Sequence, residues 1–454
     1  MNYIKNMIIF YAAFALNFLM GFILIKVLAL YLPQDVLGQY FYISNLGLFA
    51  GGLLLLGFPL TLQRFIPIYI RDGKEPNAST LVHLPALLHF AVGLILSLPI
   101  LLIKGTSFVS LFLAFYILNT ITLYQTALIA QQKVLEYSLT SFSRILVIIC
   151  LILLARPLLT LDILGIINLS INIVFFLILF SLFPLKLTSW HTVHAEIKPY
   201  WKYAILNQFL SPFFYYLDSI LIPMFLPFSQ LSLFQISRKL DMGSRQTLEV
   251  PLQLTAPLIS FKTQDELLTS DFAEKFRTFR LVYFYLALLW FLVFQFAGKR
   301  IILLISTPDY LSTYPYLIGL SFTLLLSTLY ASDAMLARAT GNIKLFFYKD
   351  IVWVAAFLMA FLLLTPKLGL NGTILSFGIA TTATAVYHIH NYKVLHPIEY
   401  LFEFTKTVLA GTQAIIFISS KKFLPSIIIL GVIIVLDFKN IQNAFRIVKK
   451  LRNS

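Results

Sequence analysis

Long apolar runs recur along this chain from Met7 to Phe438, and only short polar loops separate them. Each run is long enough for a helix of about 20 residues, the length that crosses a bilayer. Runs such as 94–103 and 171–183 do not alternate apolar and polar residues, as the strands of a membrane β-barrel do. Only 12% of the residues are charged, about half the share in soluble domains. The sequence therefore predicts an all-α polytopic membrane protein.

The apolar runs predict about 14 transmembrane helices. They lie near 8–32, 36–62, 82–103, 108–130, 139–155, 163–184, 203–226, 231–256, 281–305, 315–336, 346–365, 371–392, 404–420 and 423–437. We divide them into an N-terminal six-helix bundle, 1–185, a cytoplasmic linker, 186–202, and a C-terminal six-helix bundle, 203–396. Two extra helices and a basic cytoplasmic tail occupy 397–454.

The net charge of +15 is explained by the excess of Lys and Arg that marks cytoplasmic loops. With the amino end inside, 23 of the 34 Lys and Arg fall in cytoplasmic segments and seven in outer segments. The remaining four, Lys26, Arg238, Lys239 and Arg245, are assigned to spans. This asymmetry predicts a multi-pass protein of the inner membrane with both termini in the cytoplasm. It gives no reason to expect nucleic acid as a partner.

Two turns in the sequence resemble each other. The segment 33–44 joins the first two spans, and the segment 227–237 joins the seventh and eighth. Each has Pro, then Leu four residues later, then a small residue and an aromatic residue. An offset of six spans keeps both halves in the same orientation, related by an axis along the membrane normal. Two such halves around a cavity are typical of transporters.

Four charged residues share one face of the eighth span: Arg238, Asp241, Arg245 and Glu249 are spaced by three, four and four residues. On a helix this spacing forms a single stripe, and neighbours of opposite sign can pair. A charge in a bilayer needs a partner or a polar cavity. The stripe is thus either the wall of a cavity or a ladder that neutralises itself.

Helical rise places three charges at a similar depth. Lys26, Asp218 and Arg238 each lie roughly 9–12 Å from the outer ends of their spans. Lys26 either faces the cavity or extends its long stem to the interface, whereas Asp218 either pairs with Arg238 or faces water. Tyr215 and Tyr216 precede Asp218 and are suited either to stacking on sugars or to contact with lipid.

Three further charges lie near predicted cytoplasmic ends of spans. Asp333 is a candidate for gating or ion coupling. Arg64 and Arg338 are candidates for the first contact with an anionic head group, although the positive-inside rule alone also accounts for them.

Enzyme motifs are missing from the sequence. There is neither a P-loop nor an HExxH pair, the motifs that bind nucleoside triphosphates and catalytic zinc. The longest polar loops are too short for an external catalytic domain. We therefore expect no enzymatic activity, no cofactor and no metal site.

Six short segments share a pattern with a known family: Leu32–Tyr40, Tyr216–Ile220, Phe234–Leu240, Pro308–Tyr310, Ala337–Lys344 and Thr365–Gly372. In these segments the chain resembles the polysaccharide transporter family of the MOP superfamily, the Wzx-type flippases of lipid-linked oligosaccharides. The chain departs from the family at Ser232, where glycine is usual, and in its highly charged eighth span.

The resemblance implies two six-helix bundles in a V, as in MATE transporters, with two further helices. It implies a flippase for a polyprenyl-diphosphate-linked oligosaccharide, coupled to H⁺ or Na⁺ and working beside polysaccharide polymerase and ligase machinery. The substrate-binding candidates are then Lys26, Arg238, Lys239, Arg245, Tyr215 and Tyr216, and the coupling or charge-paired candidates are Asp218, Asp241, Glu249 and Asp333. A MATE-type multidrug or small-cation antiporter and a membrane glycosyltransferase or ligase are the alternatives.

Overall fold

The computed structural model describes residues 2–260, 270–334, 343–391, 397–420, 423–437 and 442. Every regular element in these ranges is helical, which confirms the predicted all-α class. The α-helices, in chain order α1 to α15, are Asn2–Tyr31, Gln34–Leu54, Phe58–Arg71, Glu75–Lys104, Thr106–Ala130, Val134–Ala155, Leu161–Leu182, Trp190–Leu221, Phe228–Ser260, Ser270–Ile305, Tyr314–Ser327, Ile343–Leu368, Leu370–Asn391, Pro397–Ser420 and Phe423–Leu436. Short 3₁₀ turns occupy Arg156–Leu158, Ile222–Met224 and Pro308–Thr313.

Six helices of the described ranges are long and apolar enough to cross a membrane, and the pair α2–α3 adds a seventh candidate if it forms one bent span. Many large apolar side chains point outward, among them Leu102, Leu154 and Val435, which are 88%, 78% and 72% exposed. Such an apolar surface is stable in contact with lipid tails and unfavourable in contact with water. The chain is therefore a multi-pass membrane protein, while the total of about 14 spans stays a prediction.

The second predicted span, 36–62, is broken in the structure. Helix α2 ends at Leu54 and α3 starts at Phe58, with a bend of 53° between them. Gly57 has a φ of +76°, a left-handed conformation that glycine adopts without steric cost. Pro59 follows in the first turn of α3, where its missing N–H does no harm. The left-handed turn thus divides one apolar run into two helices.

Contacts group the chain into two compact units. Unit 1 comprises Met1–Ile236 and Leu303–Tyr310, and unit 2 comprises Ser237–Ile302 and Leu311–Ser454. Helix α8 starts at Trp190, so most of the segment 186–202, predicted as a linker, is helical and belongs to unit 1. The domain boundaries inferred from the sequence stay a prediction.

Unit 1 is built around α5, which packs against α2, α4 and α7. Its core combines buried aliphatic residues with aromatic rings, for example Leu62, Ile66, Tyr69, Tyr124 and Phe176. The apolar positions of α5 surround the whole helix, which is typical of a helix buried on all sides.

Unit 2 is held together by the lengthwise contact of α12 with α13 and by α11, which packs on α13. Aromatic rings fill this interface. Trp353 stacks on Phe357 with centroids 5.1 Å apart, and Phe357 lies 4.9 Å from Phe377. Ring pairs at these separations add to the stabilisation that burial provides.

Candidate functional site

Three charged side chains of α9 form a compact group in unit 2, which we call the α9 charge cluster: Arg238, Asp241 and Arg245. One carboxylate oxygen of Asp241 accepts hydrogen bonds from Arg238 Nη1 at 2.7 Å and from Arg245 Nε at 2.9 Å. The two arginines are three residues before and four residues after Asp241, so the helical repeat brings all three together. The stripe read from the sequence is therefore a set of paired charges.

The α9 charge cluster is almost fully removed from solvent. Asp241 is completely buried, and the side chains of Arg238 and Arg245 are 7% and 24% exposed. Arg238 lies over the ring of Phe377 at 4.7 Å, and Arg245 Nη2 donates to the Thr323 hydroxyl at 2.8 Å. These contacts from α13 and α11 hold both guanidinium groups in place.

One acceptor at the centre of the cluster has no partner. The second oxygen of Asp241, Oδ1, is buried and accepts no hydrogen bond within the described residues. The other oxygen, Oδ2, is shared by the two arginines. A buried acceptor without a partner is costly, so this position is suited to a proton, a cation or a rearrangement of the pairs.

Other predicted site residues lie beside the cluster or outside the described residues. Lys239 is half-buried, and its place in the helix puts it about 100° around the axis from Arg238. The side chain of Glu249 and the whole of Arg338 lie outside the described residues. Their predicted roles stay predictions.

Asp218 lies in unit 1, near the end of α8, and is 2% exposed. Its Oδ1 accepts hydrogen bonds from the Ser219 backbone N–H at 2.6 Å and from the Ser219 hydroxyl at 2.9 Å. Gln235 donates in turn to that hydroxyl. Asp218 thus connects α8 to the first turns of α9 through neutral groups, and its predicted pairing with Arg238 stays a prediction.

Lys26 lies in α1 and contacts main-chain carbonyls of the segment 303–310. Its Nζ donates to Leu303 O at 2.9 Å and also to Ser306 O. The last carbonyls of a helix carry partial negative charge and lack partners of their own. Lys26 therefore caps the end of α10.

Tyr310 lies at the end of the same segment, 303–310. Burial raises the pKa of its hydroxyl to about 12.

The aromatic and cytoplasmic candidates lie at surfaces of unit 1. Tyr215 is 39% exposed, and its ring centroid is 6.1 Å from that of Tyr216, which is half-buried. Arg64 is exposed on α3 and lies over the ring of Tyr200 at 4.6 Å. This cation–π contact orients Arg64, while its role toward a substrate is untested.

Asp333 lies in a second buried charge group of unit 2. Both of its carboxylate oxygens bind Arg280 Nη1, at 2.9 and 3.1 Å, and Tyr400 donates its hydroxyl to Oδ2. Arg280 also lies over the ring of Tyr400 at 4.8 Å. The side chains of Arg280 and Asp333 are 5% and 0% exposed. Asp333 is therefore charge-paired, as one of the two predicted roles requires.

A third buried charge group was not expected from the sequence. Lys406 of α14 has no exposed side-chain surface, and it pairs with Glu403 at 2.9 Å and with Asp437 at 2.7 Å. Phe284 lies 4.6 Å beneath its ammonium group. Lys406 falls in the predicted span 404–420, so a charge inside an apolar run was the available signal.

Arg144 is a further charge inside a helix and was not among the four cations assigned to spans. It lies midway along α6, with Asn172 of α7 as its hydrogen-bond partner at 3.2 Å. Its position within the predicted span 139–155 was the available signal.

Comparisons with known proteins identify the fold. Neither the protein-family models nor the curated proteins contain a match. The lipid II flippase MurJ, in an inward closed conformation, superposes with a TM-score of 0.65 at 14% identity, over 97% of this chain and 99% of that chain. The Vibrio cholerae MATE transporter VcmN gives a TM-score of 0.59 at 14% identity, over 86% of this chain and 95% of that chain.

An inward-facing multidrug resistance MATE transporter of the MOP superfamily also gives 0.59 at 14% identity, over 84% of this chain and 96% of that chain. The chain thus has the fold that MurJ and these MATE transporters share. The predicted MATE-like fold is confirmed.

Proposed function

We propose that this protein is a flippase that moves a polyprenyl-diphosphate-linked oligosaccharide from the cytoplasmic to the outer leaflet, for the synthesis of a cell-surface polysaccharide. The observation that carries the proposal is the α9 charge cluster, in which two buried arginines share one carboxylate oxygen. It places two guanidinium groups side by side inside a membrane protein whose fold is that of flippases and transporters.

The cluster chemistry suits a diphosphate. A guanidinium group binds phosphate through two parallel hydrogen bonds, with more geometric specificity than an ammonium group. A diphosphate that reaches Arg238 and Arg245 competes with Asp241 for their N–H donors. The competition is favourable because the ligand carries more negative charge than the carboxylate it replaces.

The same exchange provides a route to ion coupling. When Asp241 loses its arginine partners, its charge is left in a low-dielectric interior, where the charged form of a carboxyl group is disfavoured. Uptake of H⁺ or Na⁺ compensates for that cost. The cluster therefore links substrate binding on Arg238 and Arg245 to ion binding on Asp241.

The other candidates have separate roles in this scheme. The proposed contacts of the glycan are Tyr215 and Tyr216 in unit 1 and Lys239 in unit 2, while the lipid tail remains in the bilayer. The protein acts in the inner membrane with both termini in the cytoplasm, beside polymerase and ligase machinery, and catalyses no reaction of its own.

The proposal is tested by export of the glycan from a strain that carries single variants. We expect Arg238→Ala and Asp218→Ala to abolish export at unchanged protein abundance. Arg238→Lys is expected to retain a small part of it, because the ammonium group keeps the charge without the planar donor pair. Arg71→Ala, which removes an arginine with 75% side-chain exposure, serves as the matched control. Wild-type export by both Ala variants contradicts the proposal.

A multidrug or small-cation antiporter is the second candidate, since the structural neighbours include MATE transporters. A cation substrate favours a site dominated by acids, whereas the α9 charge cluster consists of two arginines and one carboxylate. Deletion of the gene is expected to stop glycan export without changing drug susceptibility. Increased susceptibility with intact export favours the antiporter instead.

A further inference from the structure

Arg144 is an arginine at the centre of a membrane-spanning helix. It lies about 15 Å from either end of α6, and α6 with its following turn is among the helices apolar and long enough to span the bilayer. The hydrocarbon core is roughly 30 Å thick, so Arg144 lies near its middle. Its side chain is half-buried and contacts other helices of unit 1, too deep for its head group to reach either interface.

The partners of Arg144 are neutral. Its Nη1 donates to the Asn172 side-chain oxygen at 3.2 Å, and Asn172 donates to the Ala114 carbonyl at 2.7 Å. Tyr40 of α2, itself 4% exposed, lies close enough for an electrostatic interaction with the guanidinium. The Arg144 Nε is buried and has no hydrogen-bond partner in the described residues.

No described carboxylate compensates this charge. Apart from Asp218, the acidic residues of unit 1 lie at or near helix ends and in loops, namely Asp35, Asp72, Glu75, Glu136, Asp162, Glu196 and Asp309. Within the part of the chain that the structure describes, Arg144 makes no ion pair. The arrangement differs from that of Arg238, Arg280 and Lys406, each of which has a carboxylate within 3 Å.

We propose that Arg144, Asn172 and Tyr40 form an intramembrane binding site for the phosphate oxyanion of a lipid-linked molecule. A buried guanidinium without a counter-ion is unfavourable in a membrane, and charged residues found there serve substrate or ion pathways in most cases. An anion that binds at Nε supplies the missing charge and the missing acceptor together. Tyr40 adds a hydroxyl donor, and Asn172 orients the guanidinium.

The chemistry favours phosphate over a carboxylate or halide. A guanidinium presents its donors as a planar fork that matches two oxygens of one phosphate, and the Nε donor of this fork in Arg144 has no hydrogen-bond partner in the described residues. The site lies in unit 1, whereas the α9 charge cluster lies in unit 2. The inference rests on the proposed function for its ligand class, and it adds a second phosphate contact on a different unit.

The test uses the full-length protein in nanodiscs and measures binding of three probes. They are polyprenyl diphosphate, inorganic pyrophosphate and polyprenol, the last as the neutral control. Arg144→Gln keeps a hydrogen-bonding group and removes the charge. Asn172→Asp places a carboxylate beside the guanidinium, so an internal ion pair competes with any external anion. Arg156→Gln, an exposed arginine just beyond the same helix, is the matched control.

We expect Arg144→Gln and Asn172→Asp to weaken binding of polyprenyl diphosphate at least tenfold, with polyprenol unchanged and Arg156→Gln like the wild type. Both variants are also expected to unfold at the same temperature as the wild type or at a higher one, because Arg144→Gln removes the unpaired charge and Asn172→Asp neutralises it with a carboxylate. Weakened binding of pyrophosphate as well identifies the head group alone as the ligand, and unchanged pyrophosphate binding identifies a site that also requires the lipid.

Two results overturn the inference. One is wild-type affinity for polyprenyl diphosphate in both variants. The other is a lower unfolding temperature in both, with the affinity of the folded fraction unchanged, which makes Arg144 a structural residue. A wild-type protein that does not bind polyprenyl diphosphate contradicts the proposed function itself. The failure of the two proposals is therefore distinguishable.

Discussion

Gly38 in α2 lies directly against the main chain of Phe228, the first residue of α9. Pro33 immediately precedes α2, and Pro227 immediately precedes α9. The two turns that resemble each other in sequence thus each start a helix, and these helix starts touch within unit 1. Glycine is required on the α2 side because the carbonyl of Phe228 occupies the space of a β-carbon.

The first prediction concerns this contact. Gly38→Ala places a methyl group inside contact distance of the Phe228 carbonyl, and a main-chain atom cannot move aside cheaply. We expect a loss of about 1–3 kcal/mol in the free energy of unfolding, measured by denaturant titration in detergent micelles. Gly21→Ala is the control, because its β-carbon meets no atom within 4 Å. Equal stability of the two variants contradicts the prediction.

The second prediction concerns Asp241. Asp241→Asn leaves Arg238 and Arg245 without their shared carboxylate, and breaking a buried pair from one side costs about 3–5 kcal/mol. Asp72→Asn is the comparison, because the pair of Asp72 with Arg71 is exposed. We expect it to lower the free energy of unfolding by about 0–1 kcal/mol. Unfolding curves of the two variants provide the comparison. A small, equal effect at both positions indicates that α9 does not depend on its charges for stability.

The third prediction concerns the buried pair of Lys406 and Asp437. Lys406→Met alone leaves Asp437 buried without its cation, so we expect a loss of about 3–5 kcal/mol. The double change Lys406→Met with Asp437→Leu removes both charges, and apolar replacements of a buried pair are often neutral or stabilising. We therefore expect the double variant to recover most of the lost stability. Additive losses in this double-mutant cycle mean that the two residues are not coupled.

The fourth prediction separates two roles of Lys26. Lys26→Met removes two hydrogen bonds to the end of α10, and we expect it to lower the free energy of unfolding by about 1–2 kcal/mol. Lys104→Met, at the exposed end of α4, is expected to be neutral. If Lys26→Met lowers glycan export and protein abundance by the same factor, Lys26 acts only as a helix cap. A greater loss of export supports the predicted contact with substrate.

How much of the site could be predicted depends on how close together in the chain the interacting residues lie. Arg238, Asp241 and Arg245 were found together because their spacing of three and four residues matches one helix turn. Asp333 was singled out, yet its partner Arg280 lies 53 residues away in the chain. Nothing in the sequence around Asp333 indicates which helix faces it.

Lys406 and Arg144 illustrate a different limit. Both lie within apolar runs, but a charged residue near the end of a run is assigned as readily to a loop as to a span, since span ends are uncertain by a few residues. Only the contacts of Lys406 with Asp437 and of Arg144 with Asn172 show that both are internal.

The sequence by itself determined the membrane class of this protein, its all-α fold and the grouping of Arg238, Asp241 and Arg245 on one face of α9. These properties follow from short stretches of chain, because the hydrogen bonds of a helix are local and apolar length sets what can cross a bilayer. The tertiary structure alone decided which charges pair with a carboxylate, as Arg280 and Lys406 do, and which contact neutral groups in the described residues, as Arg144 and Lys26 do. Pairing between helices depends on how each helix is rotated against its neighbours, and that rotation is set by contacts between residues far apart in the chain.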